Sequence, residues 1–145
     1  MAAKKIEIDD TGRTVSLNVT IHRATRGMTV AELAERVSAL GRPLTRQAVS
    51  EIEAGRRRVD VDDLVVLAVA LGVSPSTLLM PRADYHDDVV AVTCGGRLPA
   101  EDVWRWIVAD APLDHPTGDT TEFEAAATET DAFRRTARPA WEVRR

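Results

Sequence analysis

Arg46 and Gln47 stand directly after Thr45, a residue type that caps helices. At the leading end of a helix, each offers paired hydrogen-bonding groups on one side chain. The guanidinium fork of Arg46 matches the two acceptors of guanine, and the carboxamide of Gln47 matches the acceptor and donor of adenine. Such a pair discriminates between bases by roughly 1–3 kcal/mol. Ser50 lies one turn further on and can share that face. Arg42 precedes this segment and Arg56, Arg57 and Arg58 follow it, so that residues 42–58 hold five arginines against Glu51 and Glu53, a balance of +3. Side chains of this kind suit phosphate. So do the unpaired backbone N–H groups at the starts of helices capped by Thr29 and Thr45. The chemistry implied is recognition of double-stranded DNA, not catalysis.

The formal net charge of −4 argues against that reading until it is divided along the chain. Residues 1–82 carry +2 and residues 83–145 carry −6. A weakly basic front half precedes an acidic rear half, and a local patch governs nucleic-acid binding more than the total does. Seventeen of the 19 basic residues are arginines. Aromatic residues make up 4% of the chain. The core of the first half is therefore aliphatic, which suits packed helices.

The elements that must position these residues can be traced in order. Residues 1–13 read as a flexible arm with a turn signal at Asp9-Asp10-Thr11-Gly12. A helix over Thr14–Arg26, with Val15, Val19 and His22 on one face, ends at Gly27. Thr29 and Glu32 then form a capping box. Val30, Leu33, Ala34 and Val37 follow with the spacing of one helical face. Leu40-Gly41-Arg42-Pro43 interrupts, and Thr45 caps a third helix from Arg46 to about Ala54, with Val49 and Ile52 inward. Asp60 caps a fourth, boxed by Asp63, with Leu64, Leu67, Ala68 and Leu71 as its stripe. Ser74-Pro75 opens a fifth in which Leu78, Leu79 and Met80 pack before Pro81 stops it. Beyond Pro81 the pattern changes. Val89–Thr93 reads as a strand, Gly95-Gly96 as a turn, and Pro99 to about Ala109 as an amphipathic helix carrying Val103, Trp104, Trp106 and Ile107. These large side chains suit either a core or an exposed recognition surface. The polar remainder reads as a partly mobile tail, with helix over Thr121–Arg135.

The segments Arg26–Ala34, Thr45–Gly55, Leu64–Ala68 and Leu71–Pro75, in this order and spacing, resemble the Cro and phage-repressor (XRE-type) helix-turn-helix family, phage or bacterial. The resemblance covers about Asn18 to Pro81. It implies a mainly α, five-helix, lambda-repressor-like domain over residues 14–81 that acts as a dimer on a palindromic operator. A small α/β extension over 82–112 and a polar tail over 113–145 follow. The resemblance also implies base contacts from Arg46, Gln47 and Ser50 or Glu51, and a structural ion pair between Arg23 and Glu53. Phosphate contacts fall to Thr29, Arg42, Thr45, Arg56, Arg57 and Arg58. Three departures stand out. Val30 occupies a position where many members carry a phosphate-binding Gln, His22 one that is usually apolar, and the turn over Ser38–Leu44 is longer than the usual tight one.

Other chemistry finds little support. His22, His86 and His115 lack metal-ligand spacing. Cys94 has no His or Lys beside it and reads as an inert or partly buried thiol. No phosphate loop or nucleophile elbow occurs. No lysine follows Lys5, which leaves a self-cleaving Ser–Lys domain without its base. The reading is a non-enzymatic transcriptional regulator without cofactor, simplest as a homodimeric repressor. The alternative is an antitoxin-like adaptor that binds DNA through the helices and a protein through residues 83–145. The N-terminus is too charged for a secretory signal, and no apolar run approaches the ~18 residues of a membrane span. The expected location is the cytoplasm, in association with the nucleoid.

Overall fold

The computed structural model describes residues 7–113 and 120–144. They divide into two compact units, one of residues 7–82 with Ala91–Cys94, the other of residues 83–90 with the described part of 95–145.

The first unit holds five helices: α1 (Asp10–Thr25), α2 (Val30–Ala39), α3 (Arg46–Glu53), α4 (Val61–Leu71) and α5 (Pro75–Leu79). In each of α2–α5 a Ser, Thr or Asp cap accepts the N–H three residues on: Thr29 from Glu32, Thr45 from Ala48, Asp60 from Asp63 and Ser74 from Thr77. An apolar residue precedes each cap and another follows five positions after it, giving Met28 and Leu33, Leu44 and Val49, Val59 and Leu64, Val73 and Leu78. All eight belong to the core or pack against it. This repeated staple fixes the angle at which the chain enters each helix. Leu33, Val37, Val49, Ile52, Leu67, Leu71 and Leu78 are fully buried with Val19, an aliphatic core as the composition requires.

Two expectations need correction here. α1 begins at Asp10, four residues before Thr14, because Asp9 accepts the Asp10 N–H and Arg13 pairs with Asp10 at 2.6 Å. The turn signal is thus the first turn of a helix. Gly12 is there for space, since a Cβ at that position would lie 2.5 Å from Ile8 Cγ2. At α4, Asp60 accepts the Asp63 N–H at 2.7 Å, but the Asp63 carboxylate turns to Arg42 instead of back to the cap. The reciprocal half of that box is therefore not formed. One polar pin went unanticipated: buried Asn18 donates through Nδ2 to the carbonyl oxygens of Thr77, Leu78 and Met80 at 3.3, 3.0 and 2.8 Å. It ties α1 to carbonyls that the end of α5 leaves without helical partners.

Beyond Pro81, β1 (Val89–Val92) and β2 (Gly96–Pro99) form a hairpin. β2 was not expected, since glycine and proline at its ends are poor strand residues. Cys94 lies in the connection, exposed and at φ +61°, so it is not a partly buried thiol. The second unit continues with α6 (Ala100–Ile107), α7 (Thr120–Ala137) and α8 (Ala140–Val143). Val103 is buried, whereas Trp104 and Trp106 remain 42% and 40% exposed. α7 spans 18 residues and takes in the helix expected over Thr121–Arg135. Residues 114–119 and His115 among them lie outside the described residues.

Charged bonds tie the end of α7 to the segment after α6. Arg134 donates to the Asp110 carbonyl and carboxylate at 2.7 and 2.9 Å, Arg138 to the Ala109 carbonyl and the same carboxylate at 2.8 Å each, and Arg105 to the other carboxylate oxygen at 2.9 Å. The Arg105 hydrogen bond, with the charge of Arg134 beside it, holds the Asp110 carboxyl below the usual aspartate range. A carboxyl depressed in the folded state stabilises fully above the ordinary aspartate range and loses that contribution as pH falls to its lowered value. Asp110→Asn will therefore weaken α7 docking by about 1 kcal/mol, roughly fivefold in its opening equilibrium, at neutral pH and not in acid. Hydrogen exchange at residues 131–137, measured against pH, checks this.

Candidate nucleic-acid interface

α3 is eight residues long, and its inner face is set by Ala48, Val49 and Ile52. That leaves Arg46, Gln47 and Ser50 exposed on the other side, with Glu51 partly buried. None of these four side chains hydrogen-bonds or pairs with another group among the described residues. The Thr45 hydroxyl oxygen accepts the Ala48 N–H at 3.0 Å. The Arg46 and Gln47 N–H groups, which α3 cannot itself satisfy, have no protein partner among the described residues. No acidic side chain occupies the first turn of α3. The positive end of its dipole is thus left for an outside anion.

α2 is built differently. The Thr29 N–H donates to Glu32 Oε2 at 2.6 Å, and the Glu32 N–H donates to Thr29 Oγ1 at 3.1 Å. The bond from the Thr29 backbone, then the one involving its side chain, holds the Glu32 carboxyl below its usual range. The start of α2 therefore supplies its own negative charge, and what remains for a phosphate is the Thr29 hydroxyl hydrogen with the Val30 and Ala31 N–H groups, which have no partner among the described residues.

The arginines expected on phosphate fall into three situations. Arg56 is exposed and unpaired among the described residues. Arg57 is partly buried and approaches Asp63 Oδ2 at 3.8 Å, while Arg58 is exposed and donates to the Glu7 carbonyl at 3.1 and 2.8 Å. Arg42 is held among acids. Its Nε donates to Asp63 at 2.5 Å and its Nη2 to Asp60 at 2.8 Å, with Asp62 3.8 Å from Nη1. These carboxylates, Asp63 foremost, raise its pKa further.

Arg23 and Glu53 lie opposite each other. Nε donates to Oε1 at 2.5 Å and Nη2 to Oε2 at 2.9 Å, with side chains 17% and 11% exposed. Arg23 Nη1 also donates to the Met28 carbonyl at 2.7 Å. One guanidinium thereby links α1, the turn before α2 and the end of α3.

Two contributors were missed by sequence reasoning. Leu44 is buried and anchors the chain immediately before α3; its signal was the staple pattern with Val49. Asp63 is buried and receives Arg42; its acidity was visible, but a partner 21 positions earlier was not. Among the described residues no group of His, Cys, Asp and Glu is arranged to hold a metal ion, and no helix is long and apolar enough to cross a membrane.

Residues 22–78 match the family described as helix-turn-helix. A crystal structure titled "hypothetical transcription factor NHTF" from Neisseria is similar, at 27% identity and a TM-score of 0.45, over 56% of this chain and 87% of that one. No curated protein matches the chain.

Proposed function

Taking residues 22–78 as a helix-turn-helix domain, we propose that the protein is a sequence-specific transcriptional regulator. In its simplest form it is a non-enzymatic, cofactor-free repressor that occupies a palindromic operator as a homodimer in the cytoplasm, on the nucleoid. α3 enters the major groove and presents Arg46, Gln47 and Ser50 to base edges, with Glu51 at the margin. Thr45, the first N–H groups of α3, Arg56, Arg57 and Arg58 take phosphate, and Thr29 takes one through its hydroxyl. The observation that carries this reading is the leading end of α3. Its polar side chains and N–H groups are unspent, and no carboxylate guards them.

Selection of duplexes from a randomised library by the purified chain tests the proposal. An enriched motif with two inverted half-sites supports a specific dimer. Recovery of unenriched sequence contradicts specific recognition.

A second reading, an antitoxin-like adaptor, is favoured by the acidic balance after Pro81 together with the exposed Trp104, Trp106 and Trp141. In it the second unit carries a protein partner. Co-purification of a stable partner lost on deletion of residues 83–145 supports it, and a clean homodimer counts against it.

A further inference from the structure

The chain between α2 and α3 is longer than a tight turn and carries Gly41 at φ +93°. A loop of this kind aims a groove-reading helix well only if something else fixes it. Leu44 supplies an apolar anchor at its end. At its middle, all three guanidinium nitrogens of Arg42 face carboxylates: Nε towards Asp63, Nη2 towards Asp60 and Nη1 towards Asp62. The Asp63 side chain is 3% exposed, so its charge depends on that partner. Asp63 also lies 3.8 Å from Arg57 in the segment after α3, and its N–H donates to Asp60. One buried carboxylate at the start of α4 thus faces the connections on both sides of α3. The cluster of Arg42 and Arg57 with Asp60, Asp62 and Asp63 sums to −1, a poor lure for phosphate.

We infer that Arg42 is a positioning residue: clasped by Asp60 and Asp63, it fixes the α2–α3 connection and with it the angle at which α3 presents Arg46 and Gln47, instead of gripping the DNA backbone. This rests on the DNA-binding function proposed above and gives the long connection its anchor. Preorganisation of this kind favours the one docking geometry that reads bases, while loose electrostatic association does not need it.

The test compares the wild-type chain with Arg42→Gln on two duplexes, the selected one and a scrambled one of the same composition, over a series of salt concentrations. Arg42→Gln is expected to lower preference for the selected duplex about tenfold, the partial loss of one base contact. Its affinity for the scrambled duplex and the salt dependence stay as in the wild type. Two results overturn the inference. One is equal weakening on both duplexes with a salt slope shallower by about one, the mark of a lost phosphate contact. The other is no change in preference. Asp63→Asn provides the converse, because it releases Arg42. Preference falls while scrambled-duplex affinity rises and the slope steepens by about one; an unchanged slope contradicts the clasp. Should burial of Asp63 prevent that variant from folding, the half-exposed Arg42 still decides the matter. A wild-type chain that does not distinguish the two duplexes refutes the DNA-reading function itself, an outcome distinct from any behaviour of Arg42→Gln.

Discussion

Changing Arg46 and Gln47 together to alanine will remove most of the preference among duplexes and leave the fold in place. Both side chains are exposed and unbonded among the described residues, and alanine is the better helix former. Nothing in the first unit is lost with them. Two base contacts at about 2 kcal/mol each give about 4 kcal/mol, roughly a thousandfold weaker binding to the selected duplex. On a scrambled duplex, where those contacts are not made in register, the loss stays within about tenfold and reflects one fewer positive charge. Anisotropy titrations on both duplexes separate the two effects. Equal loss on both would reduce Arg46 and Gln47 to general attraction, and no loss on either would move the reading surface elsewhere.

Arg23→Met will destabilise the first unit far more than its place at the edge suggests. The bidentate pair with Glu53 is mostly buried, and removing one partner leaves the other charge desolvated and unmatched. Breaking a pair of this kind costs about 3 kcal/mol. For a domain of this size that lowers Tm by about 12 °C or more. The Met28 carbonyl loses its donor at the same time. Arg23→Met with Glu53→Leu, which removes both charges, will recover most of the stability. Thermal unfolding followed by circular dichroism distinguishes the cases. If the single and double variants melt alike, the cost lies in packing and not in a stranded charge.

The fold of the first unit was largely legible because its signals are local. Thr29, Thr45, Asp60 and Ser74 each bond within their own first turn, and the stripes of α2, α3 and α4 follow a single helical period. The bonds that reach across the chain were harder to read. Arg42 lies 21 positions from Asp63 and Asn18 lies 60 from Leu78, and each side chain in isolation suits a solvated surface equally well. The sequence places Arg42 beside other arginines, whereas its neighbours in space are the acids Asp60, Asp62 and Asp63. The same limit applied to α7, whose end is tied by charged bonds to Asp110 that no apolar periodicity announces. Trp104 and Trp106 left their own question open because two residues of separation places them on different sides of α6. Both sides prove to be half in solvent.

The central claim is that the leading end of α3 meets DNA. Backbone amide shifts of the full-length chain, recorded while the selected duplex is titrated in, test it most directly. The largest changes are expected at residues 45–51, with smaller ones at 29–31 and 56–58. Residues 96–113 and the described part of α7 should stay near their free positions. Changes concentrated in the second unit, with Arg46 and Gln47 unmoved at saturation, would contradict the account.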